Sequence, residues 1–251
     1  MAPDITNTKI HSAKEITSEN YKQFTIGRFP QIRILHTIDD VLIENPNANR
    51  VGAIKELSPN TYLIVRNPGS WDACQASKRD ATTARLLASN PTLSQYLKST
   101  HVIDGVYGLV VTSDDKIAAE KRSQEVANSK GGTSLPAGSC DFEELPIRTI
   151  KRELKEELNL SAGKYNLEPT PLTTVFVPKS LSLNHVYVAR TPLTFAELRA
   201  EAETAKDRWE WEDLIPVDAN PQAARDFALN RMTGKGSKVA MFALADYLEG
   251  K

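Results

Sequence analysis

Residues 135–161 read LPAGSCDFEELPIRTIKRELKEELNLS. Glu144, Glu153, Glu156 and Glu157 crowd around Arg152 in this segment, and carboxylates that close repel one another unless something positive gathers them. From about Glu143 to Leu158 the apolar residues Ile147, Ile150, Leu154 and Leu158 recur at spacings of three and four. At roughly 100° per residue they form one stripe, which predicts a helix packed on a sheet. Glu153, Glu156 and Glu157 stand at i, i+3 and i+4 and converge on a neighbouring face. Lys and Glu four residues apart also suit a solvated helix face, the ordinary use of such charges. Against that use, the glutamates lie beside the apolar stripe, and a glycine-bearing loop with a fourth glutamate precedes them. Oxygen ligands of this kind suit hard cations such as Mg²⁺ or Mn²⁺, which would relieve the repulsion.

The segment resembles the Nudix box, G-x5-E-x7-R-E-U-x-E-E-x-G-U, where U is a bulky aliphatic residue. Gly138, Glu144, Arg152, Glu153, Leu154, Glu156, Glu157 and Leu160 fall on the pattern without a gap. Only Asn159 departs, standing where the family has glycine. Asn is the next best residue for a left-handed helix cap, so replacing Asn159 by glycine is expected to be neutral or mildly stabilising. The resemblance implies an α/β/α sandwich with a mixed sheet, and hydrolysis of a nucleoside diphosphate linked to another moiety. It implies Glu153, Glu156 and Glu157 as the metal-binding set, with the Gly138 carbonyl as a further ligand. Mg²⁺ is the expected cofactor, with Mn²⁺ as a substitute. Arg152 would orient the glutamates through an ion pair with Glu144, which makes Glu153, Glu157, Arg152 and Glu144 the expected catalytic residues. Such metals neutralise a diphosphate and activate water for attack on phosphorus. Glu153, or a glutamate from a later loop, would serve as general base.

Around the box the chain reads as α/β, with strands alternating with helices. Residues 1 to about 20 are polar and suggest a loosely held arm. Short β-type runs follow, namely FTIGRF, QIRILHTI, VLIE, VGAIKEL and TYLIVRN, separated by turn formers. NPGSWDACQASKRD reads as a loop, and ATTARLLASNPTLSQYLKST as a helix interrupted near Asn90-Pro91. Residues 1–100 thus form an N-terminal β/α extension, and residues 101–251 the domain that carries the box. In that domain VYGLVVTS predicts a buried strand, with a turn at Asp114-Asp115 into KIAAEKR. TPLTTVFV, LNHVYVAR and RWEWEDLIPV read as strands; TFAELRAEAETA, NPQAARDFALNRM and KVAMFALADYLE read as helices. A strand-rich N-terminal region and helix ahead of LVVTSDDKIAAEKRSQEVA is similar in layout to the larger eukaryotic Nudix hydrolases that act on UDP-sugars.

Other residues are weaker candidates. By the resemblance, Arg122 stands where a Nudix domain's second strand runs toward the active site, which makes it a candidate phosphate or substrate contact, although an exposed strand-end arginine is the commoner use. Glu210 and Glu212 in DRWEWEDL would share one face of a strand, opposite Trp209 and Trp211, and either glutamate is a candidate later base or ligand. Trp71, Lys78 and Arg79 put a flat ring and cations in one loop, a mixture that suits a nucleotide, although the extension could equally only cover the sheet. His185 and Tyr96 read more simply as core residues than as cleft residues. TGKGSK lacks phosphate-loop spacing and reads as a turn between helices.

Composition narrows the partners. The chain has 251 residues, a formal net charge of -1 and 25% charged residues, so no basic excess points to nucleic acid. Two cysteines, Cys74 and Cys140, make no disulfide framework and have no metal-type spacing. No apolar run is long enough to span a bilayer, and the first residues lack the apolar core of a secretory signal, so a cytoplasmic protein is expected. The expected partner is a small diphosphate substrate, with a homodimer possible. A nucleotide sugar such as a UDP-sugar or ADP-ribose is the first expectation for that substrate. A prenyl or other non-nucleotide diphosphate, or a catalytically silent ligand-binding module, is the alternative.

Overall fold

A computed structural model of the chain describes residues 15–26, 33–38, 48–58, 61–69, 74, 76, 80–89, 91–126, 129–141 and 143–250. The expected strand VLIE lies outside the described residues. So do the side chains of Trp71, Lys78 and Arg79.

Among the described residues, eleven strands join one mixed sheet. They are β1 (Thr25–Ile26), β2 (Arg33–Ile38), β3 (Ala48–Ser58), β4 (Thr61–Gly69), β5 (Ile103–Val111), β6 (Lys116–Arg122), β7 (Thr133–Ser134), β8 (Ala137–Ser139), β9 (Thr170–Val177), β10 (Ser182–Arg190) and β11 (Trp211–Asp218). The helices are α1 (Ala81–Ala88), α2 (Leu93–Ser99), α3 (Pro146–Leu158), α4 (Ala162–Tyr165), α5 (Phe195–Ala202), α6 (Pro221–Asn230) and α7 (Lys235–Leu248). The main path runs β1-β9-β10-β5-β3-β4-β2.

At the centre, β5 lies parallel to β10 over nine residue pairs, and its apolar run is buried on both faces, as such a position requires. Alternate residues then serve two cores. Val106 and Val110 face Ile150, Leu154 and Leu158 of α3, while Leu109 and Val111 face Val239 and Phe242 of α7. The α/β/α layering with a mixed sheet is therefore as expected. Burying each aliphatic side chain of the α3 stripe is worth about 1.5–3 kcal/mol, and this stripe holds the acidic helix against the sheet.

The N-terminal residues extend the same sheet: β3 meets β5 at Arg50↔Ile103, and β1 pairs with β9. Ile16, expected in a loose arm, is buried in the core with Tyr21 and Phe24.

What positions the site is a fork. β5 and β6 pair only beside their turn, at Val110↔Ala118 and Val111↔Ile117, with Asp115 at φ +54° completing the turn. Beyond that they part, β6 toward β7 and β11 and β5 toward β8. The chain between β7 and α3, which opens the acidic segment, is wedged into the gap.

Candidate active site

The α3 helix begins at Pro146, whose fixed φ suits a first helical turn, and ends at Asn159 in the left-handed conformation, φ 54° and ψ 23°. Its start places Arg152 over the fork, where one guanidinium gathers three carboxylates. Nε and Nη2 donate to Glu144 at 3.2 and 2.9 Å, and Nη1 donates to Glu153 at 2.6 Å and Glu156 at 3.0 Å. Nη2 also donates to the Ser139 carbonyl at 3.2 Å. The Arg152–Glu144 pair expected from the resemblance is present, and Thr149 Oγ1 supports Glu144 at 3.0 Å. Although burial opposes it, Arg152 holds the Glu144 carboxyl below its ordinary value. Glu156 is likewise held low against its burial by Lys206 and Arg152.

Glu153 and Glu157 lie deeper. Burial pushes Glu153 up to about 7 despite Arg152, and Glu157 is pushed well up by burial and by repulsion from Glu120, Glu153 and Glu210. Glu157 Oε2 accepts the Ala137 N–H at 3.0 Å, while its Oε1 is buried without a hydrogen bond. Gly138 sits directly against Glu153, where a Cβ would come within 1.9 Å of the carboxylate. The close approach of that backbone to the carboxylate requires glycine.

Sequence reasoning missed Glu120. On β6 the residues Ala118, Glu120 and Arg122 share one face, so a glutamate beside a core alanine was the available signal. Its side chain is 0% exposed, neither oxygen has a hydrogen-bond partner, and burial raises its pKa to about 7.

The segment after α5 brings in the later loop. The Asp207 N–H donates to the Glu156 carbonyl at 2.7 Å and Trp211 Nε1 to the Glu157 carbonyl at 3.0 Å. These bonds tie residues 207–211 to the last turn of α3. Glu210 thereby reaches Arg122, whose Nη2 donates to Oε2 at 3.0 Å. The strand expected across DRWEWEDL instead starts at Trp211, after a 3-10 turn at Arg208–Glu210. The tryptophans consequently part: Trp211 is buried, and Trp209 is 51% exposed. Glu212 leaves the cluster as well, pairing with Lys121 on the solvent side at 2.9 Å.

A cleft of about 550 Å³ opens beside the fork, with Ala137, Gly138 and Ser139 on its floor and Arg122, Trp209 and Glu210 on one side. The box side chains stand behind that floor, through the contacts of Glu157, Glu153 and Arg152 given above. TGKGSK forms the other side. It is no mere turn between helices: Gly234 caps α7, and Lys235, Gly236 and Ser237 of its first turn line the cleft. Gly236 is pressed against Tyr107, whose hydroxyl would be 2.4 Å from a Cβ there.

His185 lies in the core, between Asp104 Oδ1 at 2.9 Å and Thr174 Oγ1 at 3.1 Å. Tyr96 is also core, donating to the Pro178 carbonyl. Cys74 and Cys140 are both buried. No helix among the described residues is long and apolar enough to cross a membrane.

Among the described residues no group of three or more His, Cys, Asp and Glu side chains is gathered as a ready metal-ligand set. The carboxylates are turned onto Arg152 and Arg122 instead. The donor chemistry nonetheless fits a hard divalent cation. Buried carboxylate oxygens without a donor, as at Glu157 and Glu120, are stabilised by positive charge and are the ligands such cations take.

No protein-family model matches the chain, and no curated protein matches it. Solved structures similar to it include a MutT/Nudix family protein from Listeria innocua, 17% identical, covering 59% of this chain and 95% of that one with a TM-score of 0.44. A MutT protein from Methanosarcina mazei Go1 is 16% identical over 60% of this chain and 96% of its own, with a TM-score of 0.42. A MutT Nudix hydrolase from Burkholderia pseudomallei is 23% identical over 56% and 96%, with a TM-score of 0.41.

Proposed function

We propose that the chain is a Nudix-type hydrolase that cleaves the diphosphate of a nucleoside diphosphate derivative, and that a nucleotide sugar such as a UDP-sugar or ADP-ribose is its substrate. The observation that carries this reading is the meeting of two features at one cleft. Glu157 and Arg152 of the box bond to the backbone of Ala137 and Ser139 that lines the cleft, and the lining also offers Arg122, Lys235 and the half-exposed Trp209 ring. A guanidinium and an ammonium suit phosphate oxygens, and a flat ring suits a base.

The residues divide the work. Arg152 holds Glu144, Glu153 and Glu156 in register. Glu153, Glu156, Glu157 and the Gly138 carbonyl would hold Mg²⁺ or Mn²⁺, which when bound supplies charge neutralisation and a more acidic water. Glu153, which accepts a 2.6 Å bond from Arg152, is the first candidate for the general base. Glu210 is the alternative base, brought to the cleft by Arg122.

The test is a product analysis. Full-length protein with Mg²⁺ is offered a UDP-sugar, ADP-ribose, a dinucleotide and a prenyl diphosphate. A nucleoside monophosphate with the matching phosphorylated fragment supports the reading. Cleavage of the prenyl compound alone contradicts the nucleotide assignment, and binding without any cleavage makes the domain a silent ligand module.

A further inference from the structure

We propose that Glu120, a strand residue outside the box, is a ligand for a divalent cation that it shares with Glu157. The inference rests on the reading that the box binds such cations, and it adds a residue and a position that the box pattern does not contain.

Glu120 is fully buried at the mouth of the β5–β6 fork, and neither of its oxygens accepts a hydrogen bond. Glu157 Oε1, across the fork on α3, is in the same condition. A carboxylate taken out of water without hydrogen bonds costs several kcal/mol, and these two share one nearby cation, Arg122. Arg122 offsets the cost only in part. Its Nη1 is 3.6 Å from Glu120 Oε2 and 3.9 Å from Glu157 Oε1, beyond hydrogen-bonding distance from both. Its one short bond goes to Glu210 at 3.0 Å. Arg152, the other cation of the site, is engaged by Glu144, Glu153 and Glu156.

Neighbouring backbone does not supply donors either. The N–H of Glu120 belongs to the strand ladder, where the residue pairs with Leu214 and Ser134, and Ser134 Oγ is turned to Ser237 at 2.9 Å. What remains is a pair of buried carboxylates whose nearby cation, Arg122, makes a hydrogen bond to neither. A fold stabilised by nothing else would fare better with an apolar residue at this strand position. Carboxylate oxygens buried without a hydrogen-bond donor are the ligands that Mg²⁺ and Mn²⁺ select.

Mn²⁺ binding to the full-length protein, followed through the electron paramagnetic resonance signal of free Mn²⁺, tests the assignment without any substrate. Glu120→Gln should weaken Mn²⁺ binding by at least about tenfold, the lower end for residues one layer further from a metal. It should also abolish most of the Mn²⁺-induced rise in unfolding temperature, while the protein in chelator unfolds no lower than wild type, because a buried charge has been removed. Unchanged Mn²⁺ affinity in Glu120→Gln, with wild type binding normally, overturns the role of Glu120 and leaves the box reading standing. Wild type that binds no Mn²⁺ overturns both. If Glu120→Gln does not fold, Glu120→Asp keeps the charge but shortens the arm, and wild-type affinity in that variant equally overturns the proposal.

Discussion

At the scale of single residues, the matches to the box were readable because each has a fixed spacing and a distinct chemistry. Glu120 was not, since one acidic letter in KIAAEKR carries no sign that its strand will part from its neighbour and face α3. Asn159 shows the same limit. Its left-handed cap was legible, yet its side chain also donates to Glu201 and to Thr204, both at 2.9 Å, contacts that need the distant α5. Asn159→Gly therefore gains backbone ease worth up to about 1 kcal/mol but loses two hydrogen bonds, one part-buried and one exposed, worth about 0.5–1.5 kcal/mol each. The expected result in chemical denaturation is a net loss of about 0–3 kcal/mol in place of the neutral-to-stabilising change read from sequence. Gly138→Ala acts differently. The added methyl meets only the end of the Glu153 side chain, so the fold should survive by moving that carboxylate. Circular dichroism close to wild type with kcat down at least about tenfold is expected; unchanged kcat would mean the position of Glu153 does not matter.

At the scale of elements, apolar periodicity located the longer described strands and helices, because burial of one face or two is what the pattern encodes. It did not locate β7, β8 and α4, which are too short to show a period. Two longer segments also went differently. RWEWEDL alternates like a strand, but Arg208 stacks its guanidinium 3.7 Å over the Trp211 ring, and the bonds to α3 close residues 208–210 into a 3-10 turn. Those partners are remote in sequence, so local alternation could not register them. TGKGSK likewise gains meaning only when α7 lies beside β5 and points its first turn into the cleft. The consequence concerns Trp209. Its ring is half exposed and lines the cleft, so Trp209→Ala should leave the fold intact and weaken ground-state binding. Loss of a base–aromatic stack is worth about 1–3 kcal/mol, which raises KM from roughly fivefold upward with kcat little changed. An unchanged KM for the nucleotide substrate would remove Trp209 from the binding surface.

At the scale of the whole molecule, the layered α/β plan followed from the order of elements, whereas the tie between the chain's early residues and its last helix did not. Asp246 on α7 makes that tie. It accepts from the Tyr21 hydroxyl and, at 2.9 Å, from Arg225 on α6, and lies 3.4 Å from Lys22. Although burial opposes it, these donors hold its carboxyl below the ordinary value of 3.8. The folded-state pKa is depressed, so the stabilisation is fully present above that ordinary value and is lost as the pH falls through the lower folded-state value. Asp246→Asn should cost about 1–3 kcal/mol at neutral pH, and denaturation curves of the two proteins should converge in acid below pH 3.8. A gap that persists there would assign the loss to packing. The central claim is narrower: the carboxylates behind the cleft floor exist for metal-dependent cleavage of a diphosphate. It is tested most directly by nucleoside monophosphate release from a saturating nucleotide sugar, comparing wild type with Mg²⁺, wild type in excess EDTA, and Glu157→Gln with Mg²⁺. The account predicts turnover in the first case alone, with the other two lower by roughly a hundredfold or more. Turnover undiminished in EDTA, or near-normal turnover by Glu157→Gln, would contradict it.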